Sequence, residues 1–178
     1  MRKFKGKKPT ASVGIIDSPS SDTTEVDDEE RGYDAAKNVS GRKRHIIVDT
    51  LGLIMAIVIH AASIQDDNGV KLVFQVLGER FQRLRVIFAD SAYGKMGLPN
   101  WVKQCFGWIL QTVLRPVGVK GFAVLPKRWI FERTFAWVGK YRRNAKDDER
   151  NPESSKAMIN IAMTSRMLKL LEKYEPAS

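Results

Sequence analysis

Two runs of β-branched apolar residues that meet at a short turn constrain the fold most strongly. "HIIVDT" and "LIMAIVIHAA" lie on either side of the segment from Asp49 to Gly52, a pattern that predicts a tight β-hairpin. Because a hairpin joins antiparallel strands, at least part of the sheet must be antiparallel. His45 and His60 stand singly on these runs, so core or strand-edge positions are expected for both.

The other apolar patterns indicate strands separated by helices. Buried strands are predicted for "ASVGIID", "LRVIFAD" and "GWILQTVLRP", at 11–17, 84–90 and 107–116. Helical spacing predicts helices at about 70–81, 99–105, 128–143 and 154–173. Strands that follow helical crossovers should run parallel to their neighbours. The element order predicts one α/β domain over residues 11–173, with a mixed five-stranded sheet flanked by helices.

Two polar segments interrupt this pattern. Residues 1–10 carry five basic side chains and are predicted to form a flexible basic arm. Residues 18–44 hold six acids between Asp22 and Glu30 and a basic run at Arg42, Lys43 and Arg44. A mobile loop with an acidic half and a basic half is therefore expected.

The charge balance favours a polyanionic partner. The net charge is +10 and the sequence pI is about 9.8, which favours nucleic acid first and an anionic membrane surface second. The longest apolar run is too short to cross a bilayer, and no secretory h-region follows the basic start. Cys105 is the single cysteine, so a disulfide framework within the chain is excluded and a buried structural thiol is expected. A cytoplasmic, nucleoid-associated protein is expected, with no membrane partner.

Three carboxylates form a candidate site. Asp17 and Asp90 each end an apolar strand, and the carboxyl ends of adjacent strands in an open α/β sheet lie side by side. Glu132 is the one acid among six basic residues between Lys127 and Arg143, on a helix predicted to cross that edge. Clustered carboxylates repel one another, and Mg²⁺ or Mn²⁺ relieves that repulsion. Two such ions can support phosphodiester chemistry.

Ordinary structural roles explain the same acids without a metal. Asp17 can cap a turn, and Asp90 can form an Asx turn with Ser91 and Ala92. Glu132 can pair with Arg128, one helical turn earlier. Spacing alone leaves these alternatives open.

Longer stretches carry a family resemblance. "IIDS", "RGYDAAKNVSGRKRHIIVDTLGLI", "VIFADSAYG", "GFAVLPKRWIFERTFAWVGKYRRNAKDDE" and "ESSKAMINIAMTSRML" resemble the DDE transposases of bacterial insertion sequences that have a ribonuclease H-like catalytic core. The resemblance covers residues 11 to about 172 and implies metal-dependent DNA strand cleavage and strand transfer. It also implies catalytic, metal-binding roles for Asp17, Asp90 and Glu132, with two ions of Mg²⁺ or Mn²⁺.

The resemblance also implies a DNA-binding set. Phosphate contacts are expected from basic residues on the Glu132 helix and from the earlier basic run: Arg128, Lys140, Arg142, Arg143, Arg42, Lys43 and Arg44. Gly139 stands where the family pattern has a basic residue, so Lys140 is expected to replace it. The expected partners are transposon-end and target DNA, with a homodimer and a separate N-terminal half as compatible additions, since this chain is short at its N-terminus relative to the family.

Two other functions compete with transposition. A catalytically inactive DNA-binding remnant of a transposase would bind DNA with a steep salt dependence and no metal requirement. A general ribonuclease H-like nuclease would prefer RNA–DNA hybrids.

Overall fold

The computed structural model describes residues 1–23, 30–94, 97–113 and 127–174, except for the side chains at 67, 128 and 174. One mixed seven-stranded sheet forms its centre. The strands are β1 (Val13–Asp17), β2 (Ser20–Asp22), β3 (Gly32–Asp34), β4 (Val39–Asp49), β5 (Ile54–Ala61), β6 (Val86–Asp90) and β7 (Ile109–Val113). The helices are α1 (Asp66–Arg80), α2 (Leu98–Phe106), α3 (Arg128–Gly139), α4 (Arg142–Ala145) and α5 (Pro152–Leu171).

The pairing of the long strands confirms the predicted mixed α/β architecture. β4 pairs antiparallel with both β1 and β5, whereas β1 and β6, and β6 and β7, pair in parallel. The hairpin turn is closed by the Gly52 N–H, which donates to the Asp49 carbonyl at 2.9 Å. The Asp49 carboxylate accepts two further backbone hydrogen bonds, from Leu51 and Leu53. The turn thereby satisfies its own backbone donors.

The prediction of a mobile loop over 18–44 is wrong for most of that segment. β2 and β3 both pair with the first half of β4, which begins at Val39 rather than at His45. The polar residues at 39–44 can occupy a central strand because carboxylates elsewhere in the chain neutralise the charged ones. The two short strands account for the difference between five predicted strands and seven observed.

Side chains of alternate strand residues build a core on each face of the sheet. Ile16 and Ile47 face α1 and α2, whereas Ile15 and Ile46 face α3 and α5. This follows from the two-residue period of a strand, which sends successive side chains to opposite faces. Each face therefore carries its own pair of helices, as in a three-layer α/β domain.

The predicted helix over 128–143 is divided in the structure. α3 ends at Gly139, Tyr141 takes an extended conformation, and α4 begins at Arg142. The last long helix begins at Pro152, which is suited to a first helical position because it lacks an N–H. Its cap is Asn151, whose side chain accepts a 2.8 Å hydrogen bond from the Ser154 N–H.

Two smaller expectations are also corrected. Residues Lys3–Lys5 form a turn of 3₁₀-helix, and Arg2 binds the Asp49 carboxylate, so this part of the N-terminal segment folds back onto the hairpin turn instead of forming a free arm. Cys105 is exposed on α2 rather than buried. Among the described helices, none has the length and apolar content needed to cross a bilayer.

Candidate active site

The register of β1 and β6 brings two of the predicted catalytic carboxylates together. Val13 lies opposite Val86, and Ile15 lies opposite Phe88. The same register continued to the strand ends places Asp17 opposite Asp90. Both aspartates also line one shallow pocket at this edge of the sheet. The ends of two parallel strands thus present adjacent carboxylates. We call this edge of the sheet, at the ends of β1 and β6, the catalytic edge, after the role predicted for the two aspartates.

Both aspartates also take part in local turns. The Ser18 N–H donates to Asp17 Oδ1 at 2.8 Å, and the Ala92 N–H donates to Asp90 Oδ1 at 2.6 Å. The Asx turn considered for Asp90 is therefore present. A carboxylate oxygen has more than one lone-pair site, so these bonds are compatible with cation binding. They hold each carboxylate in a defined orientation at its strand end.

A buried tyrosine and a third aspartate lie beside this edge. Burial is the main cause that raises the pKa of Tyr93 well above its usual value, and the negative charges of Asp66, Asp17 and Asp90 add to it. The Tyr93 hydroxyl therefore stays protonated. Asp66 accepts a hydrogen bond from Ser18 Oγ at 3.1 Å, which links the start of α1 to the catalytic edge.

Sequence reasoning missed this position of Asp66, because an acid before a helix is most simply explained as a cap. In the structure the cap position belongs to Gln65, which makes no side-chain capping bond. Asp66 instead forms an ion pair with Lys43, with 3.0 Å between Lys43 Nζ and Asp66 Oδ1. Only the three-dimensional proximity of β4 and α1 reveals this role.

Glu132 lies on α3, a helix that packs across both β1 and β6. α3 contacts β1 and β6, while Phe131 and Val138 enter the core. Glu132 is exposed, as is Ala136 one turn later on the same face. Within the described residues, no group of three or more His, Cys, Asp or Glu side chains is arranged to hold a metal ion. The structure thus pairs Asp17 with Asp90 but does not group Glu132 with them.

The chemistry of the paired donors fits a hard divalent cation. Carboxylate oxygens are the ligands that Mg²⁺ and Mn²⁺ prefer, and two adjacent carboxylates gain from a cation that offsets their repulsion. Neither His45 nor His60 contributes to this edge, because both imidazoles are buried side by side with 4.9 Å between ring centroids. The donor set at the strand ends is therefore one of oxygen atoms.

The predicted DNA-binding residues of the Glu132 helix region lie on the surface. Lys140, Arg142 and Arg143 are exposed, and Arg143 pairs with Glu149 at 2.9 Å. Arg128 begins α3, but its side chain lies outside the described part of the chain. A Cβ added at Gly139 would meet nothing within 4 Å, so the space around it is open.

The other three predicted DNA-binding residues are buried in β4, which corrects the expectation that they contact phosphate. Arg42, Lys43 and Arg44 are 0%, 5% and 1% exposed. Arg42 and Arg44 each lie 3.5 Å from the Asp147 carboxylate. Lys43 pairs with Asp34 at 3.5 Å in addition to Asp66. These cations tie β4 to other parts of the fold and do not form a DNA-facing surface.

Comparisons with known proteins agree with this architecture. A family model described as a transposase DDE domain matches residues 8–168. The catalytic core domain of BIV integrase superposes with a TM-score of 0.52 at 14% identity, covering 87% of this chain and 82% of that one. A chain of the simian T-cell lymphotropic virus intasome, solved in complex with PP2A regulatory subunit B56 gamma, gives a TM-score of 0.50 at 13% identity. That match covers 86% of this chain and 47% of that chain. No curated protein sequence is significantly similar.

Proposed function

The chain belongs to the transposase DDE domain family, and we propose that its catalytic centre forms at the catalytic edge, with Asp17 and Asp90 as the primary carboxylates and Glu132 as the third. Members of this family cleave and transfer DNA strands in transposition. The observation that supports the assignment is the β1–β6 register, which directs both aspartates to one edge. Glu132 is included because α3 packs over the same two strands.

Enzymes of this family use divalent metal ions, and we propose Mg²⁺ or Mn²⁺, two ions, for this chain. Asp17, Asp90 and Glu132 would supply the oxygen ligands. Two such ions, when bound, activate an attacking hydroxyl and stabilise the leaving oxygen of a phosphodiester. The turns at Ser18 and Ala92 orient the two aspartates, whose charges act on the buried Tyr93 hydroxyl.

The proposed reaction has two steps. Water attacks phosphorus at the element end, the bond from phosphorus to the 3′ oxygen breaks, and a 3′-hydroxyl is released. That hydroxyl then attacks a phosphodiester of the target DNA, joins the strands and displaces the target's own 3′ oxygen. The exposed cations Lys140, Arg142 and Arg143 would bind the phosphates on either side, and we propose the same role for Arg128.

Three further features belong to the same proposal. The reacting DNA comprises transposon ends and a target, on which a second copy of the chain would act together with the first. A separate N-terminal half would supply recognition of the terminal repeats, because phosphate contacts alone carry no sequence information. The site of action would be the nucleoid in the cytoplasm.

Nicking of supercoiled plasmid in Mg²⁺ or Mn²⁺ tests the catalytic assignment. Wild type should convert supercoiled to open-circular DNA, and Asp90→Asn should lower the rate by about a hundredfold or more because a charged ligand becomes neutral. Asp148→Asn is the matched control, since Asp148 is exposed and belongs to the region after α4. Equal rates in wild type and Asp90→Asn would exclude the assignment, and preferential cleavage of RNA–DNA hybrids would favour a general nuclease.

A further inference from the structure

A basic groove lies between α5 and α3, the helix that carries Glu132. Its lining includes four cations and two aromatic residues: Trp137, Lys140, Tyr141, Arg166, Lys169 and Lys173. The cavity volume is about 460 Å³, and among the described residues that line it none is acidic. We call this feature the α3–α5 groove. A concave surface with this charge and these aromatic rings is suited to a phosphate-bearing partner.

Two arginines lie against Trp137, and one of them, Arg166, lines the groove. The Arg166 guanidinium carbon lies 3.2 Å from the centroid of the Trp137 ring, and that of Arg133 lies 4.7 Å from it. The Nε atoms of both arginines are buried and have no hydrogen-bond partner in the described part of the chain. Burial and the nearby Arg133 charge lower the pKa of Arg166. Like charges held this close favour an anion nearby.

Helix dipoles explain part of this pattern but not all of it. Lys169 lies in the last turn of α5, and Lys140 caps α3, where the partial negative charge of a helix end attracts cations. Arg166, however, lies more than one turn before the end of α5 and faces Trp137 rather than terminal carbonyls. The dipole also gives no reason for the cations of two separate helices to line one groove.

The groove lies at a distance from Glu132 that suits a continuous duplex. Lys140 follows Glu132 by eight residues. At a rise of about 1.5 Å per residue, that separation is about 12 Å along the helix direction. A DNA duplex advances about 3.4 Å per base pair. DNA lying along α3 from Glu132 would therefore reach the groove after three or four base pairs.

We propose that the α3–α5 groove binds the phosphate backbone of duplex DNA about three or four base pairs from the bond that is cleaved. Lys140, Arg166, Lys169 and Lys173 contact the phosphates, and Trp137 holds Arg166 in place. The distance from the cleaved bond rests on the proposed function. Binding itself does not, because the groove contains none of the three carboxylates.

Salt-dependent DNA binding tests the groove in the absence of divalent metal. Fluorescence anisotropy with a labelled duplex of about 20 base pairs, in EDTA, gives the affinity between about 50 and 200 mM salt. The test variant is Lys169→Gln/Lys173→Gln, which removes two exposed lysines, one from the last turn of α5 and one just after that helix. The control is Arg80→Gln/Lys103→Gln, which removes two exposed cations from α1 and α2 on the other face of the sheet. Thermal unfolding of each variant verifies that the fold is retained.

The groove variant should reduce the slope of log K against log salt by about 1.8, the value for two lost phosphate contacts. The control should reduce that slope by less than about half as much. Equal reductions in both variants would mean that net charge alone governs binding and would overturn the proposal. So would an unchanged slope in the groove variant.

A polyanion competitor distinguishes DNA from an acidic protein partner. Poly-glutamate of equal charge should displace the duplex from wild type much less effectively than unlabelled DNA does. Equal displacement would overturn the assignment to a phosphate backbone. Because no divalent metal is present, these outcomes are independent of the Asp90→Asn nicking result. Failure of the groove proposal and failure of the catalytic assignment can therefore be recognised separately.

Discussion

The basic run in β4 and the α3–α5 groove have similar composition but opposite environments. Arg42 and Arg44 are buried, and both lie beside Asp147, which is 0% exposed. Lys140 and Lys169 are exposed in a groove whose described lining residues include no acid. A buried cation needs a partner because desolvation is costly, whereas an exposed one can remain available for a ligand. The positions of the carboxylates decide which cations stabilise the fold and which can bind DNA.

This difference explains why the sequence alone placed the β4 run on a DNA surface together with Lys140. The Arg44 guanidinium donates to the Asn144 carbonyl at 3.0 Å, and that acceptor is 100 residues away along the chain. Arg42 donates to the Glu149 and Arg150 carbonyls at 2.6 Å each. These contacts fix the segment after α4 against β4. Nothing local to the basic run indicates them.

The largest effect is expected from Asp147, whose buried carboxylate lies beside two buried arginines. Asp147→Asn should lower the free energy of unfolding by about 3–5 kcal/mol, measured by denaturant titration. It would also weaken the 2.7 Å hydrogen bond from Ser155 Oγ. The exposed neighbour Asp148, changed to Asn, should have little effect. A loss below about 1 kcal/mol in Asp147→Asn would mean that the buried run does not depend on this partner.

A smaller effect is expected on the pH dependence of stability, which His45 of the buried β4 strand should influence and the groove should not. Burial, followed by the charge of His60, lowers the pKa of His45 from 6.5 to about 3; Lys43 and Lys37 act in the same direction, and Asp66 opposes them. The unfolded chain takes up this proton below about pH 6.5, and the folded chain does not. The contribution of neutral His45 to the free energy of unfolding is therefore fully present above pH 6.5 and is lost as the pH falls towards 3.

His45→Gln should flatten this acid dependence. Between about pH 6 and 4, the slope of unfolding free energy against pH should fall by up to about 1.4 kcal/mol per pH unit, the value for one proton. Denaturant unfolding at several pH values measures it. Lys169→Gln, which removes an exposed cation of the groove, serves as the control. Identical slopes in wild type and His45→Gln would show that His45 is not held neutral by burial.

The smallest effect tests whether the exposed region can accept another cation. Gly139→Lys should strengthen DNA binding and steepen the salt slope by about 0.9, because a side chain there meets nothing within 4 Å. Gly139→Gln is the neutral control, which separates charge from the gain in helix propensity. Anisotropy in EDTA measures both variants. If lysine and glutamine give the same slope, DNA does not lie along this part of α3.

The sheet could be predicted from sequence because its strands are marked by local patterns. β-branched runs, the Asp49–Gly52 turn and helical spacing fixed the order and direction of the five long strands, and the structure confirms them. β2 and β3 could not be predicted, since they are short, polar and paired with a charged stretch of β4. Their stability depends on long-range contacts rather than on their own residue preferences.

The candidate site was predictable to the extent that it depends on strand ends. Asp17 and Asp90 follow from two parallel strands that each end in an acid, and the register agrees. The positions of Asp66 and Tyr93 could not be predicted, because their approach to that edge depends on how α1 and the turn after β6 pack. The role of Glu132 stays a prediction, since the distance from a helix to a strand end is set by tertiary packing.

Anomalous diffraction from crystals soaked in Mn²⁺ tests the central claim most directly. Anomalous density is predicted at the catalytic edge, within about 2.0–2.6 Å of carboxylate oxygens from Asp17 and Asp90, with Glu132 completing the ligand set. Crystals of Asp90→Asn, soaked in the same way, should lose it. Density elsewhere on the protein, or density at this edge that persists unchanged in Asp90→Asn, would contradict the assignment of these carboxylates as the metal-binding centre.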